Sequence, residues 1–311
     1  MSEGAGGRKR HPPVTPLAFR TEAPLLSTTT CAIVVDSTTD LAPSECAELH
    51  SNMRVVPVMV RLGGEALQDY VEIGPQEFYD RLASTDEHPE MSAPTPDRFA
   101  DAYRELFLAG YEQIVSLHPS EHLSNAVRSA AAGAEQWPSR VHVIDTRSFS
   151  TPAAILALDL AAQIASGTTV TEVRAAVKKH YEVSRTIVVP ASLEYPRRAG
   201  WVTANGGRLG SLVGKQSMLE LRDGRMHQLE RLRGAGKLLG QLAQRLDREA
   251  PHRGTIRIGI AHAAAPDLAR EIREMVLEIR PDAWITRVTA FGAGTGSLVG
   301  PGTVAVTWST I

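Results

Sequence analysis

The sequence predicts an α/β protein of two domains, and three observations support this class. The chain has 311 residues, and at roughly 100 to 200 residues per domain this length is enough for about two cores. Apolar strand segments alternate with helical segments between residues 31 and 145, a pattern typical of right-handed βαβ crossovers and a parallel sheet. In the second half, Asp223 and Gly224 supply the positive φ angles of a two-residue hairpin turn, which makes the second sheet mixed.

These patterns divide the chain into three parts. Residues 1–30 are predicted to be a flexible tail, because proline interrupts the segment repeatedly and it has no sustained apolar stretch of the kind found in signal peptides. Residues 31–151 are predicted to form an N-terminal three-layer α/β domain with a mainly parallel sheet. Residues 152–311 are predicted to form a C-terminal α/β domain with a mixed sheet.

The first half opens with a continuous apolar run, Cys31 to Asp36, which predicts a buried strand. The next strand, Arg54 to Leu62, contains Pro57, which indicates an edge position or a bulge. Thr95 is a suitable N-cap for the helix that begins at Pro96, and Gly110 a suitable C-cap. The pattern also predicts helices at Ser44 to Leu49, Pro75 to Leu82 and Leu123 to Glu135, and strands at Gln113 to Leu117 and Val141 to Asp145.

The second half begins with a helix, Pro152 to Ser166, that is apolar nearly all round and is therefore expected between layers or between domains. Thr169 and Glu172 form a capping box for the next helix, which extends to about Tyr181. The remaining predictions are strands at Thr186 to Pro190, Thr255 to His262, Ala283 to Thr289 and Val304 to Trp308, and helices at Ala235 to Arg248 and Pro266 to Ile279.

Composition excludes several classes of partner. With 33 basic and 35 acidic residues and a net charge of -2, the chain has no general field to attract nucleic acid. The most apolar stretch, Ala153 to Ala162, is about half of the roughly 20 residues that a membrane span needs. Cys31 and Cys46 are expected to be buried thiols without a disulfide. We therefore expect a cytoplasmic protein that binds no nucleic acid and has no membrane span.

No pattern in the sequence predicts an enzyme, a cofactor or a metal. The glycine-rich run from Phe291 to Gly302 precedes a strand and does not open a helix, which disfavours a dinucleotide site. It is interpreted as a close, glycine-lined approach of the backbone to a ligand, or simply as a loop. His118 and His122 straddle Pro119 at a strand-to-helix turn and do not share a helix face, which disfavours a metal site. No catalytic residue is assigned.

Small hydroxyl residues recur where strands end and helices begin, namely at Ser37, Thr38, Ser92, Ser120 and Ser124. Together with free N–H groups at helix N-termini, such hydroxyls bind anionic head groups. On periodicity alone, the alternative that Ser120 and Ser124 only cap a helix is favoured.

Eight segments, in order along the chain, carry recognisable motifs: VVDSTTDLAP (34–43), VVPVMVRLGGEALQD (55–69), FYDRL (78–82), MSAPTPDRF (91–99), GYEQIVSLHPSEHLSNAVRSA (110–130), HVIDTRSFS (142–150), LEYPRRAG (193–200) and VGPG (299–302). Together they resemble the DegV family of bacterial fatty-acid-binding proteins. The resemblance implies two α/β domains with one long-chain fatty acid in a tunnel between them. It also implies a carrier that presents the acid's carboxylate to a partner fatty acid kinase and is not itself a catalyst.

The resemblance assigns a head-group site. Ser124 matches the serine expected to hydrogen-bond the carboxylate, the backbone N–H of Asn125 matches that of the following glycine, and Ser92 matches a serine of the family's TSQPS segment. Ser37 lies in the DSTxDLP-like segment and is included in the site. An ionised carboxylate removed from water must accept several hydrogen bonds or become protonated.

The chain departs from the family pattern at four polar positions. Met91 replaces the head-group threonine, Leu298 a histidine, Trp201 an arginine and Gln216 a lysine. Two hypotheses follow from these changes. Either other donors, such as Thr295, Ser297 or Ser92, hold the carboxylate of a fatty acid, or the protein binds a neutral or other apolar ligand without kinase docking.

Overall fold

The computed structural model describes residues 24–202, 215–233, 238–251 and 254–310. Its strands are β1 Cys31–Asp36, β2 Met53–Val56, β3 Met59–Leu62, β4 Glu65–Gln68, β5 Glu90–Ser92, β6 Gln113–His118, β7 Val141–Asp145, β8 Arg185–Val189, β9 Lys215–Arg222, β10 Arg225–Arg233, β11 Ile256–His262, β12 Trp284–Ala290 and β13 Val304–Thr310. Its helices are α1 Pro43–Leu49, α2 Pro75–Ala83, α3 Pro96–Leu108, α4 Ala126–Gly133, α5 Ser150–Ala165, α6 Val170–Val183, α7 Glu194–Arg198, α8 Leu238–Glu249, α9 Pro266–Ile279 and α10 Ala293–Val299. One 3₁₀ turn, Ser37–Thr39, follows β1.

The N-terminal half is built on a parallel sheet with the strand order β2-β1-β6-β7. Every residue of β1 is buried, as expected for a strand covered on both faces. Side chains of α1, α5 and α6 pack on one face of this sheet, and side chains of α3 and α4 pack on the other. The predicted three-layer arrangement with a parallel sheet is therefore confirmed.

The prediction of one strand from Arg54 to Leu62 is wrong. The segment forms two strands, β2 and β3, because Pro57 cannot donate a ladder hydrogen bond and the chain leaves the parallel sheet there. Strand β3 instead joins a small antiparallel sheet with the order β4-β3-β5. The turn between β3 and β4 is formed by Gly63 and Gly64, which both have positive φ angles.

The C-terminal half contains a six-stranded sheet with the order β10-β9-β8-β13-β11-β12. Only β11 and β12 pair in parallel, so the sheet is mixed, as predicted. Alternate residues of its strands face α8 and α9 on one side. The opposite residues, such as Val188 and Leu219, face elements of the N-terminal half.

Helix α5 connects the two halves. It contacts β1 in one half and β11 and β12 in the other, so the predicted position of this apolar helix between layers is confirmed. At Gly259 in β11, an added Cβ would collide with Thr151 and lie 3.2 Å from Ile155 of α5. The chain is also ordered at Leu26, which precedes the first predicted strand. Its side chain is fully buried, and its backbone forms a bridge with that of Thr168.

Two further segments differ from the sequence predictions. The glycine-rich run from Phe291 to Gly302 contains helix α10 and is not a loop. Helix α4 begins at Ala126 and not at Leu123, because residues 120–123 form a turn in which the N–H groups of Leu123 and Ser124 both donate to Ser120 O.

Both cysteines are buried, and burial raises the pKa of each thiol to about 12.

Candidate functional site

An apolar cluster lies between the N-terminal half and one face of the six-stranded sheet. Strand β3 and helix α2 contribute to it from one side, and β8, β9, β11 and β13 from the other. Phe149 lies between two other aromatic rings, with its centroid 5.3 Å from that of Trp201 and 6.5 Å from that of Phe291. We call this set of residues the inter-sheet cluster; its buried members include Val60, Phe78, Leu123, Val188, Leu219 and Met226. A layer of this composition can surround an apolar chain.

Ser124 lies at the border of the inter-sheet cluster. The preceding residue, Leu123, is a member of the cluster, and its carbonyl accepts a hydrogen bond of 3.2 Å from Nε1 of Trp201. The hydroxyl of Ser124 accepts from the N–H of Ala126 at 3.2 Å. Asn125 is exposed at the N-cap of α4, where the first N–H groups of a helix have no partner within it. The segment can therefore offer N–H and O–H donors next to apolar surface.

Met91 and Leu298 also border the inter-sheet cluster, since both side chains are partly buried and pack against it. Met91 lies in β5 opposite Val60 of β3, and Leu298 lies in α10, which packs on β5. Ser92, the next residue of β5, is exposed. The structure thus places apolar side chains, and no donor, at these two cluster positions.

Three other hydroxyl groups are committed to internal hydrogen bonds. Ser37 is fully buried, and its Oγ accepts from the N–H of Val58 at 3.1 Å. Thr295 donates to Oδ1 of Asp40 at 2.5 Å, and Ser297 donates to the carbonyl of Ala293 at 2.7 Å. A carboxylate ligand accepts hydrogen bonds, so Thr295 and Ser297, which were expected as replacement donors, have no proton free for it.

Trp201 is buried, with a relative exposure of 7%. At this position the chain departs from the family pattern, which has an arginine. In the structure its ring is a member of the inter-sheet cluster and its N–H is used by Leu123. Gln216 lies in β9, but its side chain is outside the described residues.

A buried acidic pair joins the two halves beside the cluster. Asp40 follows the 3₁₀ turn after β1, and its carboxylate accepts from Thr295, from the N–H of Gly292 at 2.8 Å and from Ser150. Asp69 follows β4, and its Oδ1 accepts from the N–H of Ala293 at 2.9 Å. Both carboxylates therefore hold the first residues of α10. The other carboxylate oxygen of Asp69 has no partner among the described residues.

Burial sets the protonation of this pair. Desolvation raises the pKa of Asp40 to about 6, although hydrogen bonds from Ser150 and Thr295 act in the opposite direction. Desolvation also raises the pKa of Asp69 to about 7, and the negative charge of Asp40 adds to this increase. The guanidinium of Arg287 donates to the Asp40 carbonyl at 2.7 Å and pairs with Glu45, whose pKa it lowers.

A second buried chain of polar groups lies inside the N-terminal half. Asp36 Oδ2 lies 2.8 Å from His118 Nδ1, His118 Nε2 lies 2.7 Å from Ser116 Oγ, and Ser116 Oγ lies 2.8 Å from Tyr103 OH. All four residues are at most 1% exposed. These buried polar groups therefore satisfy one another's hydrogen bonds.

The sequence analysis missed both polar networks. A signal for the second was present, since Asp36 ends β1 and His118 ends β6, and the carboxyl ends of neighbouring parallel strands meet at one sheet edge. The acidic pair had no such signal, because Asp69 and its partner Ala293 are 224 positions apart and meet only through tertiary packing. Within the described residues, no group of three or more His, Cys, Asp or Glu side chains could hold a metal ion. None of the described helices combines the length and the hydropathy needed to cross a membrane.

Comparisons with known proteins agree with this architecture. A DegV domain-containing protein of Streptomyces coelicolor is 31% identical over 275 residues, which cover 88% of this chain and 96% of the relative. A Thermus thermophilus DegV family protein, whose structure is described in terms of fatty acid binding, is 29% identical and superposes with a TM-score of 0.82, covering 91% of this chain and 100% of that one. DegV from Bacillus subtilis, described as a fatty acid binding protein, is 23% identical and shares the fold with a TM-score of 0.80, over 91% of this chain and all of that one.

The family model described as "Uncharacterised protein, DegV family" matches residues 30–310, nearly the whole described part of the chain. The resemblance inferred from the eight sequence segments is thereby confirmed, and the chain belongs to the DegV family.

Proposed function

We propose that this protein binds one long-chain fatty acid in the inter-sheet cluster, with the carboxylate at Ser124. The observation that carries the proposal is the position of Ser124, one residue after a member of the cluster and one residue before the N-cap-to-helix junction at Asn125 and Ala126. An acyl chain and a carboxylate need such neighbouring apolar and donor surfaces. The Thermus relative, at 29% identity, is described as fatty acid binding, which supports this ligand class.

In this proposal the protein is a carrier and not a catalyst. It holds the acid and presents the carboxylate to a partner fatty acid kinase in the cytoplasm, as the family resemblance implies. The phosphoryl transfer belongs to the kinase. A purified kinase catalytic subunit with ATP should convert the bound acid to an acyl phosphate, which hydroxylamine traps as a hydroxamate; no hydroxamate above the kinase-only level would remove this step from the proposal.

A second candidate is a neutral or other apolar ligand without kinase docking. The observation that favours it is the apolar character of Met91, Leu298 and Trp201, all of which contact or belong to the inter-sheet cluster. Removal of hydrogen-bond donors weakens the binding of a neutral head group less than that of a carboxylate, because a buried ionised group has the larger desolvation cost.

Native mass spectrometry of the purified protein, followed by identification of the released lipid, separates the two candidates. A stoichiometric long-chain fatty acid is the expected result, and Ser124→Ala should lower its occupancy because one hydroxyl donor to a charged group is lost, at a cost of about 1.5 to 3 kcal/mol. Ser129→Ala, in the middle of α4 on a half-buried position, is a matched control that should retain the ligand. Recovery of a neutral lipid would favour the second candidate, and a protein that remains empty after incubation with fatty acid would contradict the fatty acid proposal.

A further inference from the structure

A cleft of about 350 Å³ opens beside the segment that precedes Ser124. Among the described residues, its lining includes His122, Leu123, Gly200, Trp201, Val202, Arg225, Met226, His227 and Gln228. Three of these residues, Leu123, Trp201 and Met226, are also buried members of the inter-sheet cluster. The cleft is therefore an opening from solvent onto the apolar layer that the proposed function assigns to the acyl chain.

Two contacts between the halves of the molecule fix segments that carry lining residues of this cleft. The hydroxyl of Ser120 donates to the carbonyl of Gly224 at 2.7 Å, which fixes the tip of the β9–β10 hairpin against the N-terminal half. Gly224 has a φ angle of +73°, and an added Cβ would collide with Ser120, so the close approach requires glycine here. Trp201 and Leu123 both line the cleft, and Trp201 is fixed by its hydrogen bond to the carbonyl of Leu123.

The polar groups around the cleft include hydrogen-bond donors and a cation, Arg225. Arg225, His227 and Gln228 follow one another closely in β10, which is the edge strand of the six-stranded sheet. Residues from both faces of an edge strand can line a cleft at its outer side. None of the described lining residues is acidic, and in the described part of the chain no carboxylate forms an ion pair with Arg225.

A second cleft that reaches the same cluster has the opposite charge. It measures about 300 Å³ and includes the cluster members Tyr79 and Leu82. Its rim contains the carboxylates of Asp86, Glu87 and Glu194, the last of which forms an ion pair with Arg198, together with the imidazole of His88. A bound anion would be repelled there and attracted at the first cleft, since charges of opposite sign favour the ionised ligand and like charges disfavour it.

We propose that Arg225, assisted by His227 and His122, binds the anionic head group of the ligand. These residues would take the place of the donors lost at Met91 and Leu298. The inference rests on the proposed function, because it names the residues that would hold the carboxylate of the fatty acid. In this arrangement the carboxylate lies at the cleft between Ser124 and the hairpin, and the acyl chain extends past Leu123, Trp201 and Met226 into the cluster. The arginine supplies the positive charge and the remaining groups supply further N–H donors.

Binding of two probes that differ only in charge tests this site. Oleate and oleyl alcohol share one hydrocarbon chain, and their affinities are measured for delipidated wild-type protein and for Arg225→Gln. We expect Arg225→Gln to weaken oleate binding about tenfold, the effect of losing one charge-assisted hydrogen bond, and to leave oleyl alcohol binding unchanged. Arg225→Lys, which keeps the charge, should restore most of the affinity for oleate.

Arg222→Gln is the matched control. Arg222 is exposed, pairs with Arg225 across the same hairpin and does not line the cleft, so its loss should change neither affinity. If Arg225→Gln binds oleate as tightly as the wild type, the head-group assignment is overturned while the proposed function stands. Equal weakening of oleate and oleyl alcohol would also overturn it, because the loss would then be independent of charge. A wild-type protein that binds no oleate would contradict the proposed function itself.

Discussion

Asp69 is a carboxyl group whose burial should make the stability of the protein depend on pH. Its pKa rises from the ordinary value of 3.8 to about 7 on folding, chiefly by desolvation. Between these two values the folded protein binds a proton that the unfolded chain does not. The free energy of unfolding therefore falls as the pH rises through this interval, by up to about 1.4 kcal/mol per pH unit for one proton, and the contribution is lost above about pH 7.

Asp69→Asn should reduce this pH dependence, because the amide is neutral at every pH and its oxygen can still accept from Ala293. Urea unfolding at pH 5, 6, 7 and 8 measures the slope, and the part due to Asp40, whose pKa is raised to about 6, should remain. Asp80→Asn, which changes an exposed carboxylate in α2, should keep the wild-type slope. Identical slopes in Asp69→Asn and the wild type would show that this carboxyl group is ionised when folded.

Helix α4 packs against α3 at Gly133, and the closeness of this contact should make the position intolerant of a larger side chain. An added Cβ at Gly133 would lie 2.5 Å from the carbonyl oxygen of Pro96 and 3.0 Å from Cβ of Phe99. Backbone atoms cannot move away cheaply, so Gly133→Ala should lower the free energy of unfolding even though alanine is the better helix former by about 1 kcal/mol. Gly240 is the control, since it lies in α8 with no atom within 4 Å of an added Cβ.

Gly240→Ala should therefore raise the free energy of unfolding, and the two substitutions should act with opposite signs. Urea unfolding followed by far-UV circular dichroism gives both values. If both variants gain stability, the α3–α4 contact is less tight than its geometry indicates, and helix propensity alone decides the outcome.

Elements were predictable from the sequence where local pattern and packing agree. Helix α9 begins at Pro266 and ends at Ile279, as its pattern predicts, and the capping box of α6 forms between Thr169 and Glu172. Helix α10 was missed because Gly294 and Gly296 disfavour a helix. Tertiary packing requires glycine at both positions, because a Cβ at Gly294 would lie 2.5 Å from the side chain of Val58 and one at Gly296 would lie 2.6 Å from the hydroxyl of Tyr79.

The candidate site was only partly predictable, for a related reason. Ser124 and its neighbour Asn125 could be named from the sequence because they belong to one local segment. The clefts and their charges could not, since Leu123 and Met226 meet only when the hairpin of one half docks on the turn of the other. Whether these residues hold a head group remains a prediction.

On the scale of the whole molecule, the inter-sheet cluster should make unfolding a single cooperative event. Its buried members come from both halves, and α5 packs on sheets of both. Unfolding either half alone would expose the apolar face of the other, at a cost of about 25 cal/mol per Å² of apolar surface. We therefore expect the two sheets to lose structure together and not in sequence, as in a two-state transition.

The four tryptophans make this expectation measurable in one sample. Trp137 packs with Tyr103 and Phe107 in the N-terminal half, whereas Trp308 is buried in the C-terminal sheet. In protein labelled with 5-fluorotryptophan, the ¹⁹F resonances of these two residues should vanish at the same urea concentration, and Phe149→Ala should shift both midpoints equally, because it removes a ring from the shared cluster. Separate midpoints for Trp137 and Trp308 would mean that the halves are stable alone, and the cluster would then be an interface able to open for an apolar ligand without unfolding either sheet.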